Sequence, residues 1–483
     1  GSEMCIRDSI NGNGIHSTRP PINCEGRLRR GTPYPRAART SIRGMAESTP
    51  ANIPAHLQRI DKDAWPGVAD VPQPGKLRTR LAEAGFARAC AKAGLSFEGD
   101  GADITVERAE VFQRIAASGW VGLAEGYMAG EWSTGGSQQL VDVLTALLRT
   151  GYHPRTRRVD AVRPATPGEL PPDLVAHFSG DGLSAFQGHF ATGVATTERV
   201  RMKSHTKGAG KGREPRDHFV DVTEIGTPLE SDRADLKDAQ NRSVEEILGS
   251  LGVAHGTHLL EYPSGGGALA LEAAARGATV DAVTRDARMY AAMRERLILA
   301  GTDGSVTVDR IAEGPGAVAK QRSGVYDAVA SMEVFETMPR RQQRSYLLAV
   351  DAVLGQGGRA AMQTVVRTSA YNRTADLALE SLRAYIWPGL HFATVAEIGK
   401  TVDRETDLRV VAQTSAPEHL VASLRLQRIT FDGKLRDAAA DGYDAVFRRL
   451  WVWQFALREA MARLGVIDLA QITFARRNRR GRR

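Results

Sequence analysis

A doubly wound α/β fold with a mostly parallel sheet is the architecture that this 483-residue sequence predicts. Three observations predict it. Residues 258–286 read H-L-L-E-Y-P-S-G-G-G-A-L-A-L-E-A-A-A-R-G-A-T-V-D-A-V-T-R-D: an apolar strand ending in Glu261, a glycine-rich turn, an alanine-rich helix, and a second strand ending at Thr284. Strand, glycine turn, helix and strand form the opening βαβ unit of nucleotide-binding α/β folds. Strand-like and helix-like periods then alternate regularly from residue 243 to 476. Finally, 42% apolar and 25% charged residues describe a globular chain with a core, and no run of about 18 uncharged apolar residues reads as a membrane span.

In chain order, residues 1–44 are rich in Gly, Pro, Ser and Arg without periodicity and read as a disordered leader. Met45, followed by A-E-S-T-P, reads as a native start. The leader is then either a non-native extension or a native arm, and it is excluded from the fold either way. Residues 75–155 read as a smaller N-terminal α+β domain, with a helix over 76–93, a short strand over 104–106, and amphipathic helices over 111–117 and 138–149. Residues 156–242 read as an irregular linker and substrate-loop region. Within it, K-S-H-T-K-G-A-G-K-G-R-E-P-R over 203–216 is basic and glycine-rich. It lacks the G-K-[ST] ending and the flanking strand of a phosphate loop, so it reads as a solvated linker.

Residues 243–476 carry the alternation. Helix 243–251 leads to strand 258–261, helix 268–276 to strand 279–283, and helix 288–300 to strand 305–309. Strand 326–331, helix 340–353 and, after the turn G-Q-G-G-R at 355–359, strand 360–366 continue it. A helix over 373–384, two late helices over 437–450 and 452–464, and a last strand over 469–474 complete it. Both faces of such a sheet are covered by helices. Residues 477–483 form a basic tail.

The net charge of +8 sits at the ends. Residues 1–44 hold eight arginines against Glu3, Asp8 and Glu25, and the six arginines from Arg476 to Arg483 add +6, which leaves the body near −3. A body of that charge predicts no nucleic-acid partner. Cys5, Cys24 and Cys90 are too scattered for a disulfide framework or a metal site and fit a reducing, cytoplasmic setting.

Four stretches carry a resemblance to a family: Gly122-L-A-E-G-Y-M-A-G-E-W132, Ser331-M-E-V-F-E-T-M338, Tyr385-I-W-P-G389, and a C-terminal set of His419-L-V-A-S-L424, Trp451-V-W453 and Ile467-D-L-A-Q-I-T-F-A-R476. In this order, with the glycine turn, they resemble the cyclopropane-fatty-acyl-phospholipid synthases, which are class I S-adenosylmethionine-dependent methyltransferases; the form is that of a divergent actinobacterial-type member. The resemblance implies a Rossmann-like methyltransferase sheet. It implies methyl transfer from S-adenosyl-L-methionine to the double bond of an unsaturated phospholipid acyl chain, with a cyclopropane, methylene or methyl-branch product. It also implies a cytoplasmic protein peripheral to the anionic inner face of the cell membrane, as a homo- or hetero-oligomer. The alternative reading is a catalytically degenerate paralogue that binds lipid or a partner subunit.

The cofactor residues so implied are Glu261, Ser264, Gly265, Gly266, Gly267 and Thr284. Small residues let the backbone approach the methionine carboxylate, and the following helix N-terminus favours that anion. Thr284 stands where many such folds place a ribose-binding acid, and Asp286 reads as a helix N-cap. The catalytic residues implied are Glu336 and Gln363. The family holds a bicarbonate with a Glu, a His, a Tyr and a Cys-containing loop. Here Glu336 keeps the Glu, Gln363 replaces the His, Leu420 replaces the Tyr, and Gly226 and Pro228 occupy the loop, so bicarbonate is not expected. Pro263 stands where the glycine turn normally has its first glycine; it removes a backbone N–H and fixes φ.

Overall fold

The computed structural model describes residues 54–97, 101–154, 169–211 and 214–477. The leader over 1–44 and the end of the basic tail, 478–483, lie outside the described residues.

The N-terminal part is helical: α1 (Pro66–Ala69), α2 (Lys76–Ala93), α3 (Glu110–Ser118), α4 (Trp120–Ala129), α5 (Ser137–Arg149) and α6 (Pro172–Ala176), with β1 (Thr105–Val106) paired antiparallel to β2 (Trp132–Ser133). Then come β3 (Ala195–Lys203), β4 (Asp217–Ile225), α7 (Asp235–Leu251), β5 (His258–Glu261), α8 (Ala268–Ala275), β6 (Thr279–Thr284), α9 (Ala287–Leu299), β7 (Val306–Arg310), α10 (Pro315–Gln321), β8 (Tyr326–Met332), α11 (Arg340–Val353) and β9 (Leu354–Arg367). The chain ends with α12 (Arg373–Tyr385), α13 (Val395–Glu405), β10 (Leu408–Ser415), α14 (Pro417–Gly433), α15 (Leu435–Ala440), α16 (Ala445–Arg463) and β11 (Ile467–Arg476).

Among the described residues, nine strands form one sheet in the order β3-β4-β10-β11-β9-β8-β5-β6-β7. Its β9-β8-β5-β6-β7 half is parallel, and β5 lies between β8 and β6. Central strands are buried on both faces, so they read as apolar runs. The expected βα alternation is present, and Asp286 is the N-cap of α9, its Oδ1 accepting Arg288 N at 2.8 Å and Met289 N at 2.9 Å.

Three expectations change. The segment 156–242 is not irregular throughout: β3 and β4 form an antiparallel hairpin of nine paired residues, and the basic glycine-rich stretch begins at the last residue of β3. β3 reads A-T-T-E-R-V-R-M-K and is exposed along nearly all its length, so no face shows an apolar alternation. Charged side chains on an edge strand also discourage pairing with another chain. The two late helices are placed differently: α16 runs unbroken through Trp451, and Asp444 caps it by accepting Phe447 N at 2.7 Å. Of the six terminal arginines, Arg476 and also Arg477 from the expected tail belong to the fold. Arg476 Nε donates to Gly355 O at 3.1 Å, and Arg477 Nη1 donates to Asp403 O at 3.0 Å.

One face of the parallel half packs Leu259, Val280, Ala282 and Ala330 against α7, α8 and α9. The other packs Leu260, Val283 and Val329 with Tyr346 and Leu347 of α11 and Ile398 of α13. A third core joins residues of α3, α4 and α5 to α12, α14 and α16, including Trp120, Leu144, Leu382 and Trp453.

Candidate functional site

The carboxyl ends of β5, β6 and β8 border a small cavity of about 50 Å³, at the place where an open α/β sheet binds its ligand. Gly265, Met289, Met332, Glu333, Glu336 and Glu169 line the end against the sheet. Leu170, Phe178, Phe186, Trp387, Trp451 and Phe455 line an apolar wall. On α16 the positions 451, 454, 455 and 458 all reach the cavity, because spacings of three, four and seven residues share one helix face.

The glycine turn after β5 passes through a cis Tyr262–Pro263 peptide. A Cβ at Gly265 would meet only Met332 O, at 3.8 Å, so that backbone borders open space. Gly266 and Gly267 serve the turn itself. Both have positive φ, and a Cβ on Gly266 would lie 2.4 Å from Leu183 O. Ser264 is fully buried, its N–H bonded to Val283 O at 2.8 Å and its hydroxyl directed at Met293 Sδ at 3.3 Å. Glu261 is 2% exposed; Oε1 accepts Gly265 N at 3.2 Å, and Oε2 makes no hydrogen bond of good geometry. The Ser264 hydroxyl and the Ala270 amide lie near enough to offset part of the burial, which nevertheless pushes this carboxyl up to about 7.

Thr284 is fully buried at the end of β6, its hydroxyl accepting Asp286 N at 3.2 Å. The acid at this strand end comes from elsewhere in the chain. Glu169 Oε1 accepts Arg285 N at 2.6 Å and Oε2 accepts Asp286 N at 2.5 Å.

The end of β8 holds two carboxylates. Glu333 has φ +48°, a left-handed conformation that non-glycine residues rarely adopt. Such a strained position is maintained only where surroundings over-determine it, and it gathers at functional sites. Its Oε1 accepts Gln187 N at 2.6 Å and Gln363 Nε2 at 2.8 Å, and Arg458 lies 3.7 Å from its Oε2. Glu336 is 4% exposed; it accepts the Thr364 hydroxyl at 2.8 Å and Val365 N at 3.3 Å. Burial raises both carboxyls above their ordinary range; the Arg458 guanidinium pulls Glu333 back, whereas the Glu333 charge pushes Glu336 further up. Burial lowers Arg458 itself, against the pull of both carboxylates. Two acids with one cation in an apolar cavity therefore differ: Arg458 beside Glu333 favours its charged form against burial, and the Glu333 charge makes Glu336 hold a proton more readily.

Gln363 is fully buried on β9 and outside the cavity lining. Its amide donates to Gln187 O and to Glu333 at 2.8 Å each, and its carbonyl accepts Gln471 Nε2 at 2.9 Å. Both its N–H donors are in use and its carbonyl already accepts one bond, so it holds Glu333 rather than donating to a ligand.

A bicarbonate does not fit these residues. Leu420 is fully buried on α14, and the Gly226 carbonyl is taken by His419 Nε2 at 3.0 Å. His419 also accepts Phe190 N through Nδ1 at 2.8 Å, and burial lowers it to about 4, so it stays neutral near pH 7. The amide of Gln363 already serves a carboxylate of this chain.

Sequence reasoning brought Glu336 and Gly265 to the cavity and missed Glu169, Glu333, Gln187 and Arg458. Glu333 lay three residues before Glu336 in a stretch already singled out. Arg458 lies seven residues after Trp451, the spacing of one helix face. Glu169 gave no signal, because its partners are more than 110 residues away. Among the described residues no His, Cys, Asp and Glu cluster has a metal site's geometry.

Comparison with known proteins gives three kinds of match. The family described as mycolic acid cyclopropane synthetase matches residues 227–472. Tuberculostearic acid methyltransferase UfaA1 of Mycobacterium tuberculosis (strain ATCC 25618 / H37Rv) is 28% identical over 432 residues, covering 86% of this chain and 96% of that protein. The structure of the cyclopropane synthase MmaA2 from Mycobacterium tuberculosis is 19% identical with a TM-score of 0.46, over 51% of this chain and 88% of that one. The structure of mycolic acid cyclopropane synthase CmaA1 complexed with SAH and CTAB is 18% identical with a TM-score of 0.45, over 50% and 85%.

Proposed function

This chain belongs to the mycolic acid cyclopropane synthetase family and is an S-adenosylmethionine-dependent methyltransferase, and from that premise we propose that its acceptor is the double bond of an unsaturated phospholipid acyl chain, with Glu336 taking up the released proton. The observation that carries this reading is a single cavity that joins an apolar aromatic wall to a buried acid pair and to Gly265.

The residues present fit the cofactor. Open space borders Gly265, and the unpartnered Glu261 Oε2 is an acceptor suited to an ammonium group. Glu261, Gly265 and the β6 end would hold it; when bound, it supplies an electrophilic methyl group on a sulfonium. The apolar aromatic wall excludes water from the reacting carbon. Adding a methyl group to an alkene leaves a carbocation on the acyl chain. A neighbouring C–H bond then breaks, its electron pair forms the new carbon–carbon bond, and the proton passes to the Glu336 carboxylate. Burial and then the Glu333 charge raise Glu336 toward the working pH, where proton transfer is most effective, while Arg458 opposes that rise. No step uses bicarbonate.

An acyl chain must be drawn from a bilayer, so this reading includes peripheral contact with an anionic membrane face. No described helix is long and apolar enough to cross a membrane. Since Arg476 and Arg477 are bound into the fold, Arg479, Arg480, Arg482 and Arg483 remain for electrostatic attraction. The test is incubation of the protein with unsaturated phospholipid vesicles and methyl-labelled S-adenosylmethionine. Mass spectrometry of the released fatty acids should find label and one added CH2. Label that stays entirely in the cofactor would refute the proposal.

A further inference from the structure

We propose that Glu169 is the ribose-binding carboxylate of the cofactor site, delivered to the end of β6 from the segment before α6 instead of from the strand itself. The inference rests on the cofactor reading above and names the recognition group which that reading lacks. In nucleotide-binding α/β folds an acid near the end of the second strand accepts hydrogen bonds from ribose hydroxyls. Here that strand ends in Thr284, whose short, fully buried hydroxyl is already engaged by Asp286 N.

Glu169 fills the gap. Its two oxygens accept Arg285 N and Asp286 N, the two residues that follow the strand. The Thr284 hydroxyl also supports it. Each carboxylate oxygen has two acceptor sites, so one backbone N–H apiece leaves acceptor capacity. Glu169 lines the same cavity as Gly265 and Met289. Those residues mark the crevice between β5, β6 and α9. A vicinal diol offers two donors to such an acceptor pair.

The segment is held firmly enough to act as part of the site. Asp173 on α6 pairs with Arg288 on α9 at 2.6 Å, and Tyr443 donates to the other oxygen of Asp173 at 3.0 Å. Burial raises the Glu169 carboxyl, and the two backbone N–H groups and Thr284 oppose that rise. A purely structural strap would need the same backbone contacts, but it would not distinguish ligands by their hydroxyls.

The experiment is calorimetric titration of the full chain with S-adenosylhomocysteine and with its 2′,3′-dideoxy analogue. Wild type should prefer the ribose compound by roughly 10- to 100-fold, as expected for hydrogen bonds to a charged group. In Glu169→Gln the preference should fall several-fold, and in Glu169→Ala it should approach unity. Glu169→Asp keeps the charge but withdraws it by one methylene; it should also lose most of the preference while unfolding near the wild-type temperature. An undiminished preference in variants that remain folded overturns the assignment. Absence of binding of either ligand to wild type overturns the cofactor reading, and this inference with it.

Discussion

Replacing Glu261 by Gln should change how stability depends on pH, and by an amount set by the burial of one side chain. The folded carboxyl holds its proton up to about 7, against an ordinary 4.5, because burial disfavours the charge. A carboxyl raised in this way contributes stability that is fully present below pH 4.5 and is lost as pH rises through 7. At ~1.4 kcal/mol per pH unit, the loss between pH 5 and 7.5 is roughly 2–3 kcal/mol. Glutamine is neutral throughout and keeps an acceptor for Gly265 N, so the variant should not show this component. The difference in melting temperature between variant and wild type should therefore move by roughly 2–4 °C over that interval. Calorimetric scans at pH 5 and 7.5 measure it, and all other titrating groups cancel in the difference. S-adenosylmethionine should recover part of the loss in wild type at pH 7.5, where an ionised Glu261 can take its ammonium, and less in the variant. Parallel pH profiles for the two proteins, with equal stabilisation by the cofactor, would refute both the titration of Glu261 and its place in the site.

Four further outcomes are expected. Glu336→Gln should lower turnover by roughly 10²- to 10⁴-fold, the range for a positioned acid–base group, with cofactor affinity little changed; full activity would return Glu336 to a structural role. Gly265→Val should abolish cofactor binding in calorimetry yet leave the melting temperature close to wild type, since a Cβ there meets only Met332 O at 3.8 Å. Turnover should be the same in bicarbonate-free buffer and with added bicarbonate, because the donor of Gln363 already serves Glu333 at 2.8 Å; activation by bicarbonate would show that a site for it exists. Deleting residues 478–483 should weaken sedimentation with anionic vesicles several-fold at low salt, and high salt should weaken wild type similarly; unchanged sedimentation would move the contact elsewhere, with the exposed Leu77 and Leu81 of α2 as the next place to examine.

The parallel half of the sheet was legible because its information is local. β5 was placed at His258–Glu261, the residues observed, since a fully buried strand must be apolar and a glycine turn must follow it. Glu336 was legible for a related reason: it lies in a short run after β8 whose residue types are confined by the strand end. The β3–β4 hairpin was illegible because β3 is exposed along nearly all its length and β4 buries only Val220 fully, too little for an apolar alternation. Tertiary structure alone decided the rest of the site. Arg458 becomes the partner of Glu333 only when α16 lies over the end of β8. Gln363 turns from a candidate catalyst into a holder of Glu333 because β9 pairs Gln363 with Met332 of β8 and with Gln471 of β11. Glu169 reaches β6 across more than 110 residues of sequence. The sequence by itself determined the parallel half of the sheet, the glycine turn and one acid, because each depends on neighbours within a few residues. Which charges share the cavity, and which of them keeps a proton, depends on burial and on distances between remote segments, and those exist only once the chain has folded.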